Sequence, residues 1–180
     1  MELIDDLLDV TKIEVGKFMY KKELFDFDEL VVEIVNHQRI INKERVISVS
    51  GRSNKIIRGD RYRIGQVITN LLTNAVKYSP EKSPIEVRIK RDRERIILAV
   101  KDYGIGIPRS EQRAVFNQFY RSRSTQKGKA EGLGLGLFIS SQIIKHHRGK
   151  LGVKSSGSKG SVFFLEMPIL LLNDISESSD

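Results

Sequence analysis

The stretch QVITNLLTNAVKYS, Gln66 to Ser79, reads as an amphipathic helix with a polar stripe. Val67, Ile68, Leu71 and Leu72 cover one side. Asn70 and Asn74 are four apart and share another side, with Lys77 three further on. Two carboxamides and an ammonium in one line suit a hydrated magnesium ion and phosphate oxygens, because magnesium keeps several waters and accepts few protein oxygens. An ordinary solvated helix face fits the same residues. Asp60 is placed to cap this helix, and Pro80 to end it.

Downstream, IEVRIKR puts Ile85, Val87 and Ile89 on one face and Glu86, Arg88 and Lys90 on the other. That is a strand with one wet face, and RIILAVKD is the next. Asp102 ends that second strand and opens DYGIGIP. There Gly104 and Gly106 allow a tight turn, and the carboxylate could accept from an exocyclic amine. A plain strand-terminating turn is the alternative. FNQFYRSRSTQKGK follows, with Phe116 and Phe119 ahead of Arg121, Arg123, Lys127 and Lys129. It reads as an aromatic-anchored basic lid from Arg121 to Glu131, or as a solvated loop. In EGLGLGLFIS, Gly132, Gly134 and Gly136 alternate with Leu133, Leu135 and Leu137 and lead into the helix GLFISSQIIKHH. Neither a Walker loop nor a dinucleotide fingerprint fits that spacing. Glycines at a helix entry still let backbone N–H groups face an anion, and a flexible loop leading into a core helix is the alternative. GKLGVKS and SVFFLEMP form a closing hairpin, and the tail NDISESSD reads as disordered.

Upstream, MELIDDLLDVTKIEVGK has Leu3, Ile4, Leu7, Leu8 and Ile13 at helical spacing, with Asp5, Asp6 and Asp9 on a solvated acidic face and Gly16 as its stop. It carries no starting cap, so it reads as the end of a longer helix whose apolar stripe meets a partner helix. FDFDELVVEIVNHQRIINKE is a second helix with Asp28 as candidate N-cap. RVISVS and KIIRG are short strands around a Gly-Ser-Asn turn. Helices beside a mixed, largely antiparallel sheet with one wet face give an α/β (α+β) two-layer sandwich.

The chain has 180 residues, 39% hydrophobic and 30% charged, which fits one domain with a sizeable core. It contains no cysteine, so disulfides and thiolate metal sites are excluded. No apolar run reaches the length of a membrane-spanning helix, and no secretory leader is visible. The net charge of +8 favours anionic partners such as nucleotide phosphates. Zinc-finger and ribonucleoprotein motifs are absent, so nucleic acid is not expected as a partner.

The succession of Asn/Lys helix, Asp-glycine turn, Phe-basic segment and glycine-rich helix entry resembles the ATP-binding domain of bacterial sensor histidine kinases. These belong to the Bergerat-fold superfamily shared with gyrase, MutL and heat-shock chaperone ATPases. QVITNLLTNAVKYS looks like the N box, DYGIGIP and GLGLGL like the two glycine boxes, and FNQFYR like the F box. The resemblance implies three regions. Residues 1–16 would end the second helix of a dimerisation and phosphoacceptor domain. Residues 17–168 would form the ATP-binding catalytic domain, and 169–180 the tail.

It implies further that Asp102 hydrogen-bonds the adenine amine, with Tyr78, Gly104, Gly106 and Ile107 around the base. Asn74 would hold Mg2+, with Asn70 and Lys77 close to metal and phosphates. Gly132, Leu133, Gly134, Leu135 and Gly136 would pass backbone donors around the phosphates, and Arg121 would reach the γ-phosphate. Hydrolysing relatives carry a glutamate base where this chain has Asn70, which favours transfer to a protein side chain. The family's acceptor is a histidine on the dimerisation helix. His37, His146 and His147 are the only histidines, and none stands in such a context. The fragment is therefore expected to bind ATP but not to autophosphorylate alone. Its partners would be the parent's His-containing domain, in a homodimer, and a response-regulator receiver domain. It would work in the cytoplasm, whether or not the parent is anchored in the inner membrane. A serine-protein kinase of the anti-sigma-factor type and a non-catalytic nucleotide sensor are the alternatives. Leu133 stands where these kinases often have Thr, Tyr103 where Asn is common, and Arg148 where Gly is common.

Overall fold

The computed structural model describes residues 2–122, 132–156 and 159–169. Most of the expected basic lid and nearly all of the tail lie outside those ranges. The elements run α1 (Glu2–Glu14), β1 (Glu23–Asp26), α2 (Phe27–Ile41), β2 (Ile47–Ser50), β3 (Ile56–Gly59) and α3 (Arg61–Tyr78). Then come β4 (Ile85–Asp92), β5 (Arg95–Lys101), a 3-10 turn (Ala114–Phe116), α4 (Gly136–His146), β6 (Lys150–Ser155) and β7 (Ser161–Pro168). Five strands form one sheet in the order β2-β4-β5-β7-β6, and β1 and β3 form a separate antiparallel pair. Only β2 and β4 run parallel, joined through β3 and α3 as a crossover requires.

Alternation builds the core. Ile85, Val87 and Ile89 of β4 are buried, as are Ile96, Leu98 and Val100 of β5 and Phe163, Leu165 and Met167 of β7. The intervening residues face outward, as expected of a two-layer sandwich. Helices α2, α3 and α4 pack on one another against the buried face. Ile64, Val67, Ile68, Leu71 and Leu72 form the buried stripe of α3. Each such side chain contributes about 1.5–3 kcal/mol on burial. The polar stripe of the same helix is thereby turned toward the mouth between α3 and α4.

Three local expectations change. The cap of α2 is Asp26, whose Oδ1 accepts from the backbone N–H of Asp28 and Glu29 at 2.8 and 3.0 Å. Asp28 instead reaches across to Ser53 and Asn54, accepting from both backbone N–H groups and from Ser53 Oγ. That carboxylate holds the Gly51 to Asn54 turn open, so β2 and β3 join different sheets rather than pairing. The acidic face of α1 is not fully solvated. Asp9 is buried, ion-paired with Arg63 Nη1 at 2.7 Å and bonded to Gln66 Nε2 at 3.2 Å.

Asp9, Val10 and Ile13 seat α1 on the body, while Ile4, Leu7 and Leu8 remain exposed. Gln118 Nε2 donates to Glu14 Oε1 at 3.2 Å at the other end of the helix. The linker continues the contact. Arg63 lies over the Phe18 ring at 4.3 Å, and Tyr20 stacks on His146 with centroids 3.6 Å apart. Burial pushes the Tyr20 hydroxyl up to about 12. Asp60 joins three segments. Its side chain caps α3 through Arg63 N and accepts from Lys21 N, while its own N–H donates to His147 Nε2 at 2.9 Å.

Candidate functional site

A cavity of about 910 Å3 opens where the C-terminal half of α3, the segment after β5 and the start of α4 meet. Every residue expected at the site lines it except Gly104. Gly104 serves from behind. A Cβ there would stand 2.2 Å from the Tyr78 carbonyl oxygen, so only glycine lets this turn close on the end of α3.

Asp102 forms one end of the cavity. It is 4% exposed, and its Oδ1 accepts from the backbone N–H of Gly104 at 2.8 Å and of Ser161 at 3.1 Å. Its Oδ2 takes no hydrogen bond from the described residues. Desolvation raises its pKa above the ordinary aspartate value, and the two N–H bonds partly offset that rise. The carboxylate is thus fixed in orientation with one oxygen uncommitted. Ile107, Val115 and Phe163 add apolar walls, and Ile107 is held by Ser155 Oγ at 2.8 Å. A flat apolar ring with an exocyclic amine fits this end. Tyr78 is also raised by burial, against the nearby Arg121 cation.

The polar stripe of α3 forms the other end. Asn74 Nδ2 donates to Asn70 Oδ1 at 3.3 Å, and Asn70 Nδ2 donates to Ser140 Oγ on α4 at 3.0 Å. A Cβ on Gly136 would stand 2.5 Å from Asn70 Oδ1, so glycine there admits the carboxamide between the helices. The start of α4 has no side-chain cap. Its first N–H groups therefore lack intrahelical partners, beside Gly136 and Leu137, which line the cavity. Lys77, Arg121 and Gly132 face the same space. Among the described residues no group of three or more His, Cys, Asp or Glu could hold a metal. What is present is a pair of hard carboxamide oxygens near cations and free N–H groups. That donor set fits magnesium carried in with a polyphosphate.

Some features went unread in the sequence. Ile4 and Asp6 of α1 line the cavity, and Asp6 and Asp102 are its carboxylates among the described residues. Ser122, Ser161 and Phe163 also line it. Ser161 has a legible signal in hindsight, since it starts the strand beside Asp102. Of the two phenylalanines expected to anchor the lid, Phe116 packs on Phe163 at 6.5 Å between centroids, whereas Phe119 is 57% exposed. Leu133 is exposed on the cavity rim. Tyr103 turns away, bonding Glu86 and Lys101 on the outer sheet face. Lid residues 123–131 lie outside the described ranges.

The histidines are elsewhere. His37 is exposed on α2. His147 Nδ1 donates to the Ile143 carbonyl at 2.7 Å and Nε2 accepts from Asp60 N, which requires the neutral ring. Burial lowers the pKa of both His146 and His147. His147 thus joins the end of α4 to the start of α3 as a neutral ring.

A family profile described as histidine kinase-, DNA gyrase B-, and HSP90-like ATPase matches residues 59–171. The circadian input-output histidine kinase CikA of Synechococcus elongatus is 32% identical over 93% of this chain and 23% of its own length. The sensor protein kinase WalK of Staphylococcus haemolyticus is 30% identical over 97% of this chain and 29% of its own length. The chain thus spans about a quarter of these curated relatives. Among solved structures, the mycobacterial sensor histidine kinase MprB superposes with a TM-score of 0.73 at 27% identity, over 83% of this chain and 98% of that one. The catalytic domain of histidine kinase ThkA gives 0.68 at 27% identity, over 83% and 96%.

Proposed function

We propose, from the premise that this chain belongs to the family of histidine kinase-, DNA gyrase B- and HSP90-like ATPases, that it is the ATP-binding catalytic domain of a sensor histidine kinase. In this reading residues 17–168 form that domain, and residues 1–16 end a dimerisation helix. Asp102 carries the reading. It is a buried carboxylate pinned through Oδ1, with Oδ2 left to accept from the adenine amine. Guanine, with a carbonyl at that position, would meet the carboxylate with like polarity and is rejected.

Tyr78, Gly106 and Ile107 enclose the base. Gly132 to Gly136 and the first turn of α4 present N–H groups to the phosphates. Asn74, seated by Asn70, supplies a carbonyl oxygen to magnesium. Magnesium held there would supply neutralisation of the charge on the phosphate oxygens. Lys77 and Arg121 orient the terminal phosphoryl group and stabilise charge as it transfers. No histidine of the described residues lines this space; in this reading, by likeness to the family, the acceptor is a histidine of the parent's dimerisation domain. The phosphoryl group then passes to an aspartate of a receiver domain. The setting is the cytoplasm, and the described residues contain no helix long and apolar enough to cross a membrane. Asn70 lacks the basicity to activate water, which favours transfer over hydrolysis.

Two measurements test this. Asp102→Ala should weaken ATP binding by more than about 100-fold by titration calorimetry, as loss of a buried charged acceptor implies; unchanged affinity would refute the pocket assignment. The chain mixed with labelled ATP should stay unlabelled, and should label the parent's histidine-bearing domain when that is added. Labelled serine would indicate the serine-kinase alternative. ATP binding without any transfer would indicate a nucleotide sensor.

A further inference from the structure

The apolar wall that Ile107 adds to the cavity belongs to a segment with no hydrogen-bond ladder of its own. Residues 103–107 follow β5, and among the described residues they make no backbone-to-backbone hydrogen bond. Asp102, at the near end, is tied to β7. Its N–H donates to the Ser161 carbonyl at 2.9 Å, and Ser161 N–H donates to Asp102 Oδ1 at 3.1 Å. Apolar packing helps to hold Ile107 at the far end, but its hydrogen bonds come from side chains alone. Its N–H donates to Ser155 Oγ at 2.8 Å, and its carbonyl accepts from Gln112 Nε2 at 3.2 Å.

The polarity of these contacts is settled by the groups themselves. A backbone N–H only donates, so Ser155 Oγ accepts from Ile107 whichever way its own proton turns. That proton has an acceptor in the Gly160 carbonyl at 2.8 Å. Gln112 faces two carbonyls, of Ile107 at 3.2 Å and of Ser155 at 2.8 Å. Carbonyls only accept, so the amide nitrogen must be the end between them. Ser155 thus reaches Ile107 directly through Oγ and again through Gln112. It is also the cross-strand partner of Ser161, whose Oγ donates to Ser155 Oγ at 3.2 Å. One serine pair at the neck of the β6–β7 hairpin therefore carries both ends of the turn. Ser161 holds the Asp102 carboxylate, and Ser155 holds the Ile107 wall.

We propose that Ser155 is a positioning residue for the nucleotide base, fixing the Ile107 wall at a set separation from the Asp102 carboxylate. This rests on reading the Asp102 end of the cavity as the adenine site. Ser155 does not line the cavity and acts through Ile107, which does. The carboxylate meets the amine of the base and the wall meets its ring, so the two must keep a fixed spacing. A wall held before the ligand arrives spares the cost of ordering it on binding. Without the Ser155 hydroxyl, the Ile107 N–H loses its acceptor and the wall is ordered only when nucleotide enters. Asp102 keeps both of its N–H bonds, so the loss falls on one end of the turn.

The test is the dissociation constant of a non-hydrolysable ATP analogue, measured by calorimetry on the whole chain and its variants, with the thermal midpoint recorded for each. Ser155→Ala should raise it about fivefold, the worth of one hydrogen bond. In an Ile107→Ala background, where the wall is gone, Ser155→Ala should add nothing. In the nucleotide-free protein, Ser155→Ala should speed amide exchange at Ile107 about fivefold or more, with exchange at Asp102 and Ser161 unchanged. A Ser155→Ala protein that binds as tightly as the unaltered chain overturns the proposal. So does an equal loss in the Ile107→Ala background, and so does unchanged exchange at Ile107. If Ser155→Ala does not fold, the same cycle is run with Ser155→Cys, whose thiol is a weak acceptor. That variant must weaken binding alone and add nothing with Ile107→Ala; any other result overturns the proposal. If the unaltered chain does not bind the analogue, the ATP reading fails and this proposal with it. If it binds and Ser155→Ala binds equally well, only the proposal fails.

Discussion

Changing Asp102 to Asn keeps the shape of the side chain and removes its charge. Oδ1 would still accept from Gly104 and Ser161, but the free end would become a donor facing the adenine amine, itself a donor. ATP affinity should fall by more than tenfold, read by calorimetry. Stability should move the other way. Burial raises the Asp102 pKa, so the folded chain keeps that proton to higher pH than the unfolded chain does. The carboxyl therefore costs stability as pH rises from about 4 through the raised folded value. Asp102→Asn should raise the urea midpoint at neutral pH, where the carboxyl is charged, and leave it nearly unchanged below about pH 4. ATP affinity in the unaltered chain should begin to fall at a higher pH than an ordinary aspartate would give. The placement of Asp102 was legible, as a carboxylate at a strand end ahead of a tight glycine turn that lines the cavity, although a plain strand-terminating turn would carry the same residues. Ser140 was not legible. A serine on an apolar helix face signals nothing until the opposing helix places an amide against it.

The end of α4 is strained. Arg148, just beyond the helix, takes φ +56, a left-handed conformation that suits glycine. Arg148→Gly should stabilise the fold by about 0.5–1 kcal/mol, after offsetting the greater freedom of glycine in the unfolded chain. Chemical denaturation reads the difference. The departure from the usual glycine was visible in the sequence, but the strain it stores was not. One residue back, His147 ties α4 to the start of α3 as a neutral ring. The unfolded chain takes up its proton near pH 6.5, and the folded chain only below that. The stability it contributes is thus complete above about pH 6.5 and drains away as pH falls through that window toward the folded value. His147→Phe should flatten the stability profile between pH 5.5 and 7.5. Most helices and strands followed from period alone. Boundary chemistry did not. Asp26 and Asp28 are both good caps, and only the position of the Ser53 turn decides which one serves α2. The strand β1 went unseen because Glu23 to Asp26 has little alternation of its own and exists by pairing with β3.

At the scale of the molecule, the layered architecture and the cavity's membership were readable from the order of four short motifs. Each motif sits at the end of a strand or the entry of a helix. What could not be read was the place of α1, because its docking depends on Asp9, a residue that a helical wheel puts on the wet side. Asp9→Asn should cost about 2 kcal/mol by leaving Arg63 without its buried counter-charge. It should also raise amide hydrogen exchange across residues 2–14 while the sheet stays protected. The seat of α1 has a thermodynamic consequence. Ile4 and Asp6 belong to the wall of the same cavity that would take nucleotide, so seating α1 and filling the cavity are two equilibria of one surface. By linkage, whatever factor a bound nucleotide applies to the seating of α1, a seated α1 applies to nucleotide affinity. The helix is then a thermodynamic ligand of the domain, tethered to it by the linker from Gly16 to Lys22. Its effective concentration is set by that tether and not by how much protein the cell contains.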